Sequence, residues 1–202
     1  MEKIKNKLQE NHGLMKWLPL IVLSTAVMII IIDTTVLNVS IKNILSDLHT
    51  TVQNIQWVIS AYSLTLAALT VTGGRLGDLF GRKKMFMLGA VLFAIGSLMT
   101  SFAPTIAWII FGNAIVEGIG AALAFAIWGS VAASAVAVGP ILGGYLTTNY
   151  SWRWAFRINL IVVALLLLGA RFIHEARDKV EKIELDGIGI LLSSVGLTSM
   201  VY

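Results

Sequence analysis

The chain alternates between long apolar runs and short polar stretches. A helix that crosses about 30 Å of hydrocarbon needs about 20 mainly apolar residues. Six runs approach or exceed this length and predict transmembrane helices: Trp17–Ser40, Ile55–Gly74, Met85–Phe102, Thr105–Leu123, Phe125–Thr147 and Trp154–Ile173. A seventh run, Ile188–Tyr202, is too short for a comfortable crossing, so it predicts only the beginning of a further helix.

These runs divide the chain into four parts. Residues 1–16 are predicted to be a cytoplasmic tail, residues 17–173 a six-helix transmembrane bundle, residues 174–186 a cytoplasmic linker of mixed charge, and residues 187–202 a truncated seventh helix. The predicted fold class is therefore an all-α integral membrane protein.

The composition excludes several classes of function. The chain is 57% hydrophobic and 13% charged, whereas a soluble domain has roughly 25% charged residues. It contains no cysteine, and its three histidines lie far apart in the sequence, so neither a thiolate site nor a metal centre is expected. No nucleophile constellation or phosphate-binding loop occurs. We therefore predict no enzyme activity, no cofactor and no bound metal.

Lysine and arginine are distributed unevenly between the polar stretches. Twelve of the 15 precede the first run or lie between the second and third or the sixth and seventh; only Lys42, Arg153 and Arg157 fall on the other side. Basic residues accumulate on the cytoplasmic side of a membrane. The pattern predicts a multi-pass protein of the plasma membrane with a cytoplasmic N-terminus. Topology also explains the net charge of +4, so membrane lipids are expected as partners and nucleic acid is not.

Two acids interrupt the apolar runs. Asp33 lies within the stretch Ile21–Ile41, and Glu117 lies within the fourth run. An ionisable group inside a membrane span is costly, and it is usually present because it binds an ion, a proton or a polar partner. The alternative for each acid is a polar side chain that is merely satisfied by its neighbours.

The stretch between the second and third runs, Gly74–Lys84, reads GRLGDLFGRKK. Its three glycines allow a cytoplasmic turn to pack closely against helix ends. Asp78 could accept hydrogen bonds from the free N–H groups that begin the third helix. An ordinary basic, glycine-rich turn is the alternative, but such a turn does not need an aspartate among three glycines.

This stretch resembles the loop motif of the major facilitator superfamily, which latches the two halves of a transporter on the cytoplasmic side. The resemblance implies the N-terminal six-helix half of a major facilitator fold plus the start of helix 7. It also implies gating roles rather than substrate contacts for five residues: Gly74, Gly77, Asp78, Gly81 and Arg82.

Two further segments resemble the fourteen-helix drug:proton antiporters of the EmrB/QacA type. The segment Asp33–Val39 (DTTVLNV) is similar to their first-span motif, and Ala135–Gly144 (AVAVGPILGG) is similar to their antiporter motif. The resemblance implies proton or substrate coupling at Asp33, Asn38 and Glu117. It implies an antiporter role for four residues: Gly139, Pro140, Gly143 and Gly144. Small residues also favour close helix packing, and Pro140 a kink, so plain packing is the alternative for span five.

The fourth run departs from the family pattern. The family has an arginine four residues before the glycine that Gly118 matches, and this chain has Ala114 there. One inserted residue would instead place Asn113 opposite the arginine. The family's glutamine is replaced by Glu117. Either Glu117 takes over proton binding, or burial simply keeps it neutral.

The junction between the fourth and fifth runs is a second departure. Residues 118–123 continue directly into residues 124–129 without a polar residue at which the chain could turn. A turn at Leu123–Phe125 would leave backbone groups unpaired near lipid. Alternatively, Thr105–Thr147 is distorted or one span is re-entrant. Compared with the family, the sequence looks internally deleted as well as truncated.

The function implied by the resemblance is proton-coupled multidrug efflux, in which small amphipathic or cationic substrates are exchanged for protons. Alternating access in this fold needs two halves. The chain is therefore expected to be a fragment of an antiporter, a half-size subunit that works as a homo-oligomer, or a non-transporting membrane scaffold or remnant. A sugar or metabolite facilitator is the alternative within transport.

Overall fold

The computed structural model describes residues 2–125, residues 144–171 and Gly196, and all regular structure in these ranges is helical. The helices are α1 Glu2–Asp47, α2 Val52–Phe80, α3 Arg82–Ser101, α4 Ile106–Ile109, a π-helix Ile110–Glu117, α5 Gly118–Phe125, α6 (described at residues 144–149) and α7 Trp152–Ala170. The predicted all-α fold class is confirmed. Because α4, the π-helix and α5 follow one another without a break, we call them the central rod.

Five helical stretches among the described residues are long and apolar enough to cross a membrane. They are Ser24–Asp47, Val52–Phe80, Arg82–Ser101, Ile106–Ala124 and Trp152–Ala170. These stretches correspond to the first, second, third, fourth and sixth predicted spans. Most of the fifth predicted span lies outside the described residues, as do the linker at 174–186 and all of the seventh run except Gly196.

Polar residues define where several helices begin. The Thr51 hydroxyl accepts a hydrogen bond from the backbone N–H of Asn54 at 3.3 Å, so α2 begins at Val52, three residues earlier than the apolar run. The Ser151 hydroxyl accepts from the N–H of Arg153 at 3.3 Å at the start of α7. Such caps satisfy N–H groups that have no partner within their own helix.

The predicted cytoplasmic turn at Gly74–Lys84 is shorter than expected. Helix α2 continues through Phe80 and α3 begins at Arg82, so Gly81 alone lies outside a helix. Its φ of 102° lies in the region that favours glycine. The backbone N–H of Gly81 still donates to the Gly77 carbonyl at 3.0 Å, which is why the helical pattern persists to this point.

Helix α3 packs against both the central rod and α7, while α1 packs against α7 and α2 packs against the rod. At one end of the bundle, which we call the Asp47 end, Trp152 Nε1 donates to the Asp47 carboxylate at 3.1 Å. The Arg153 guanidinium donates to the same carboxylate and, at 3.0 Å, to the Ala103 carbonyl. These contacts join the end of α1, the α3–α4 connection and the start of α7.

Glycines permit the close approach of α3 and the central rod. A Cβ atom added at Gly96 would lie 2.5 Å from the backbone nitrogen of Glu117, and one added at Gly89 would lie 2.7 Å from the Gly120 carbonyl oxygen. Both distances are too short for a real side chain. Small residues at such crossings let membrane helices pack backbone to backbone, and here they bring the middle of α3 next to Glu117.

We expect Gly96→Ala to lower the free energy of unfolding by about 1–3 kcal/mol, because the added methyl group forces apart two backbones that already touch. Thermal unfolding of the purified protein in detergent measures the change. Gly144→Ala is the matched control, since among the described residues its Cβ would meet only Val39, at 3.9 Å. Equal unfolding temperatures for the two variants would contradict this account of the helix crossing.

Candidate functional site

The two acids predicted from the sequence lie together in the interior of the bundle. Asp33, in the middle of α1, is 2% exposed, and Glu117, the last residue of the π-helix, is fully buried. Hydrogen bonds connect them through three further buried side chains, Ser97, Asn113 and Asn159. We call these five residues the acid–amide cluster.

Two asparagine amides bridge the acids. Asn113 Nδ2 donates to Asp33 Oδ2 at 3.1 Å and to Glu117 Oε2 at 2.9 Å. Asn159 Nδ2 lies 2.9 Å from Asp33 Oδ1, 2.8 Å from Ser97 Oγ and 3.4 Å from Glu117 Oε1. The Ser97 hydroxyl donates to Glu117 Oε1 in a short contact. Each of the four carboxyl oxygens therefore has a hydrogen-bond donor.

Four separate helical segments build the cluster. Asp33 comes from α1, Ser97 from α3, Asn159 from α7, and both Asn113 and Glu117 from the π-helix. The π-helical residues are four apart and point into the same space, where their side chains also bond each other. A π-helix is rare and is frequently found at functional sites. Its position here coincides with the two residues that the rod contributes.

No buried basic side chain accompanies the acids in the described part of the chain. Every lysine, arginine and histidine whose side chain is described is at least partly exposed. The distances to Asn113 Nδ2 place an oxygen of Asp33 and one of Glu117 no more than about 6 Å apart. At an effective dielectric constant of about 20, two carboxylates at that separation repel by about 3 kcal/mol. The site therefore favours uptake of positive charge.

Sequence reasoning missed Ser97 and Asn159 as members of the site. Both are polar residues in the middle of apolar runs, and polar side chains within spans frequently hydrogen-bond across helices. That signal could have identified them as candidates. It could not have shown their partners, because Asn159 is 126 positions from Asp33 in the sequence.

Asn38 lies apart from the acid–amide cluster. Its side chain is exposed, and its Nδ2 donates at 3.0 Å to the carbonyl of Thr34 in the same helix. The structure thus does not bring Asn38 together with the acids. Among the predicted antiporter residues, Gly144 begins the described part of α6, and Gly139, Pro140 and Gly143 lie outside the described residues.

The five predicted gating residues lie at the opposite end of the bundle from Asp47. Gly74, Gly77 and Asp78 occupy the last turns of α2, and Arg82 begins α3. The Asp78 carboxylate accepts from Arg82 Nε at 3.2 Å and from its NH2 group at 3.1 Å. Four of the predicted gating residues line a cavity of about 150 Å³, together with the neighbouring Gly73: Gly74, Gly77, Asp78 and Arg82. The cavity also contacts Leu123 near the end of the rod.

A second cavity adjoins the acid–amide cluster. It has a volume of about 130 Å³ and lies between α1, α6 and α7. Its walls include Met28, Ile32, Leu146 and Val162, and Asn159 is one of its few polar lining residues. The amide of Asn159 therefore separates an apolar space from the two carboxyl groups.

The sequence profile of the Major Facilitator Superfamily matches residues 23–136 and 121–200. The chain belongs to the Major Facilitator Superfamily. This confirms the resemblance found in the motifs, and because the family consists of transporters, the prediction that the chain is not an enzyme is confirmed as well. The buried acids of the cluster therefore belong to a transporter fold.

The chain is similar to several drug-resistance proteins of this family. It is 32% identical to the puromycin resistance protein pur8 of Streptomyces alboniger over 207 residues, which cover 93% of this chain and 41% of that protein. It is 32% identical to the multidrug efflux pump LfrA of Mycolicibacterium smegmatis, covering 92% and 41%. It is 29% identical to the tetracenomycin C resistance and export protein of Streptomyces glaucescens, covering 92% and 38%. The chain thus spans about two fifths of the length of these relatives.

Solved structures of the xylose transporter XylE share the fold. A double tryptophan mutant superimposes with a TM-score of 0.58 at 16% identity, covering 91% of this chain and 50% of that chain. The inward-open form from E. coli has a TM-score of 0.54 at 15% identity, covering 90% and 54%. At these identities the likeness concerns the fold alone.

The π-helix helps to decide how the fourth span aligns with the family pattern, from which it departs. A π-helical turn contains more residues than an α-helical turn, so it accommodates an inserted residue without rotating the helix that follows. The π-helix Ile110–Glu117 therefore favours the alignment with one inserted residue, in which Asn113 occupies the position of the family's arginine.

We expect Asn159→Leu, which keeps the side-chain size, to lower the free energy of unfolding by about 1–3 kcal/mol, because buried carboxyl oxygens lose a donor. Asn38→Leu is the control, since Asn38 is exposed and its described hydrogen bond is to its own helix. Thermal unfolding in detergent compares the two variants. A loss for Asn38→Leu as large as that for Asn159→Leu would contradict the bridging role of Asn159.

Proposed function

We propose that the chain provides the N-terminal helices of a proton-coupled exporter of amphipathic or cationic small molecules in the plasma membrane, with its N-terminus in the cytoplasm. Relatives that share about 30% identity with it are named for puromycin resistance, multidrug efflux and tetracenomycin C export. Those names supply the substrate class of the proposal.

The observation that carries the proposal is the burial of Asp33 in the acid–amide cluster. A charged carboxylate in an apolar interior costs several kcal/mol unless it is compensated. Described basic side chains do not compensate it, since none is buried. Protons and cationic substrates are the two species that an exchanger of this class alternates between. Asp33 can bind one of them only when it has released the other.

The cavity next to Asn159 supports the amphipathic character of the substrate. Its walls are almost entirely apolar, and about 130 Å³ suits part of a hydrophobic molecule rather than a whole drug. An apolar ring held there would lie on one side of the Asn159 amide, with the carboxyl groups on the other. Apolar walls with a few polar groups are typical of small-molecule sites.

The residues at the Asp78 end suit the proposed gating role. The Asp78–Arg82 ion pair is substantially exposed, with 31% and 53% of the side chains accessible, so it contributes little to stability on its own. A weak, exposed pair beside a glycine-lined cavity can exchange partners when the transporter changes conformation. Gly139, Pro140, Gly143 and Gly144 remain proposed antiporter residues on the strength of the motif.

Two alternatives to this proposal are a sugar facilitator and a homo-oligomer of the chain, and experiments can distinguish them from it. A sugar facilitator has no support beyond the XylE fold likeness, and that likeness carries no substrate. A homo-oligomer of the chain would satisfy the need of this fold for two halves. Cross-linking of the chain in membranes distinguishes an oligomer from a monomer.

We expect Asp33→Asn to abolish proton-driven export of ethidium, a cationic dye, from efflux-deficient bacteria that express the chain, because asparagine binds neither a proton nor a cation. Dye fluorescence after energisation measures export. Asp47→Asn is the matched control, since Asp47 lies at the outer end of the same helix, and it is expected to retain export. Wild-type export by Asp33→Asn would contradict the proposal. If the unaltered chain does not export by itself, the same variants are compared in the exporter that contains these helices.

A further inference from the structure

We propose that Asp33 and Glu117 act as one carboxyl pair that binds two protons, and that Asn113 and Asn159 are the positioning residues of this pair. The role of the pair in transport rests on the proposed function, whereas proton binding itself is a property of the site. Glu117 is thereby assigned as a second proton-binding residue, at a position where the family pattern has a glutamine.

Charge is the first argument for two protons. Both acids are at most 2% exposed, and two adjacent carboxylates in an apolar interior leave two negative charges uncompensated. Residues 126–143, which the structure does not describe, contain no ionisable side chain. Neither that segment nor the described residues supply a buried cation for the pair, and two protons would neutralise it.

Hydrogen-bond counting is an independent argument. Asn113 and Asn159 provide two N–H hydrogens each and Ser97 provides one hydroxyl hydrogen, and these already serve the four carboxyl oxygens and the Ser97 oxygen. The amide oxygens of Asn113 and Asn159 are fully buried and have no hydrogen-bond partner among the described residues. Buried polar atoms are nearly always paired, so among the described residues the cluster lacks two hydrogens.

Two protonated carboxyl groups supply these two hydrogens. An amide that turns over by half a rotation about its last side-chain bond exchanges its oxygen and nitrogen. Because the same Nδ2 atom of each asparagine contacts both acids, the turned amide presents its oxygen to both, and that oxygen can accept hydrogen bonds from the protonated carboxyl groups. The same two amides can thus bridge the pair in its charged and in its protonated state.

The groups that face the pair do not offer another source of charge in the described ranges. From α2, Tyr62 lies near both acids, and its buried hydroxyl has no described partner. From α3 the neighbour is Ser97, and from α7 it is Asn159. Arg157, a half-buried base of α7, directs its Nε to Ser101 Oγ at 2.9 Å instead.

The pair has a consequence for coupling. If both protons leave when the site opens, two protons are exchanged for each substrate, and export of a monovalent cation moves net charge across the membrane. Replacing Glu117 by glutamine leaves one carboxyl, so the exchange ratio falls from two protons to one. Membrane potential would then no longer drive the export of a monovalent cation.

Infrared spectroscopy of the purified chain in detergent tests the pair without requiring transport. We expect a protonated-carboxyl band at neutral pH that Asp33→Asn and Glu117→Gln each reduce to about half and that the double variant removes. Asp47→Asn, which changes an exposed acid outside the cluster, is expected to leave the band unchanged. An unchanged band in Glu117→Gln, or the whole band lost in Glu117→Gln alone, would overturn the proposal.

The positioning role has its own readout. Asn159→Leu is expected to retain the band but to change the pH at which the band disappears, because the amide no longer bonds either carboxyl group. Asn149→Leu, which changes an exposed amide bonded to its own helix, should leave the pH profile unchanged, and an equal profile in both variants would overturn the role of Asn159. If a glutamine or asparagine variant fails to fold, Glu117→Asp or Asp33→Glu replaces it. These variants retain a carboxyl group, so they must keep both the protonated-carboxyl band and its dependence on pH. If the band and its pH dependence behave as expected but no export is measured, only the proposed export function is contradicted, and the carboxyl pair stands.

Discussion

Two carboxyl groups in the apolar interior of a membrane bundle must be neutralised or completely surrounded by donors, and the architecture around Asp33 follows from this constraint. Both acids are at most 2% exposed, so bulk water does not reach them, and the basic side chains that are described lie at or near the surface. Neutral donors remain, and they come from three other helical segments. The bundle must therefore bring four segments within hydrogen-bond distance of one point.

Glycines make that convergence possible. The approach of α3 to the central rod is limited only by backbone atoms at Gly96, where an added Cβ would touch Glu117. Ser97, the next residue of α3, then reaches Glu117 with a short side chain. A larger residue at position 96 would force the two helices apart and weaken this contact. Packing and chemistry are thus consequences of the same close crossing.

The π-helix solves a related problem within the rod. Asn113 must contact both Asp33 and Glu117, while the residues beyond Glu117 must keep their packing against α2 and α3. Widening one stretch of helix absorbs an extra residue there and leaves the continuation in α5 undisturbed. A basic residue at the position of Asn113 would instead form an ion pair with the acids, and one proton rather than two would then neutralise the pair.

A feature of the site could be predicted from the sequence when its signal is local, and not when it depends on residues far apart in the chain. Asp33 and Glu117 were predicted as site candidates because a charge in an apolar run is a local signal. Asn159 was not, because an uncharged polar residue in a span is common and its partner lies far away in the sequence. The helical structure of Gly74–Phe80 was missed for the opposite reason. Glycine content predicted a turn, but backbone hydrogen bonding continued to Gly81.

The sequence predicts an internal deletion at the junction between the fourth and fifth spans, and three facts are relevant to this prediction. The family profile matches in two stretches that overlap at residues 121–136, so the same residues resemble two parts of the family. The alignment with pur8 extends over 207 residues, more than the 202 of the chain, so that relative has residues within the matched region that this chain lacks.

The third fact is the chain length between the described ends. Leu123 lies beside the cavity at the Asp78 end, whereas Thr147 bonds Ser40 and Asn43 toward the Asp47 end. Residues 126–143 connect these regions, and eighteen residues rise about 27 Å as a helix, close to the roughly 30 Å of hydrocarbon. That length suffices for a crossing and leaves no residues for a polar loop. The sequence around the junction is thus long enough for one crossing and too short for the charged loop that the family has there, which is why the prediction of an internal deletion stays a prediction.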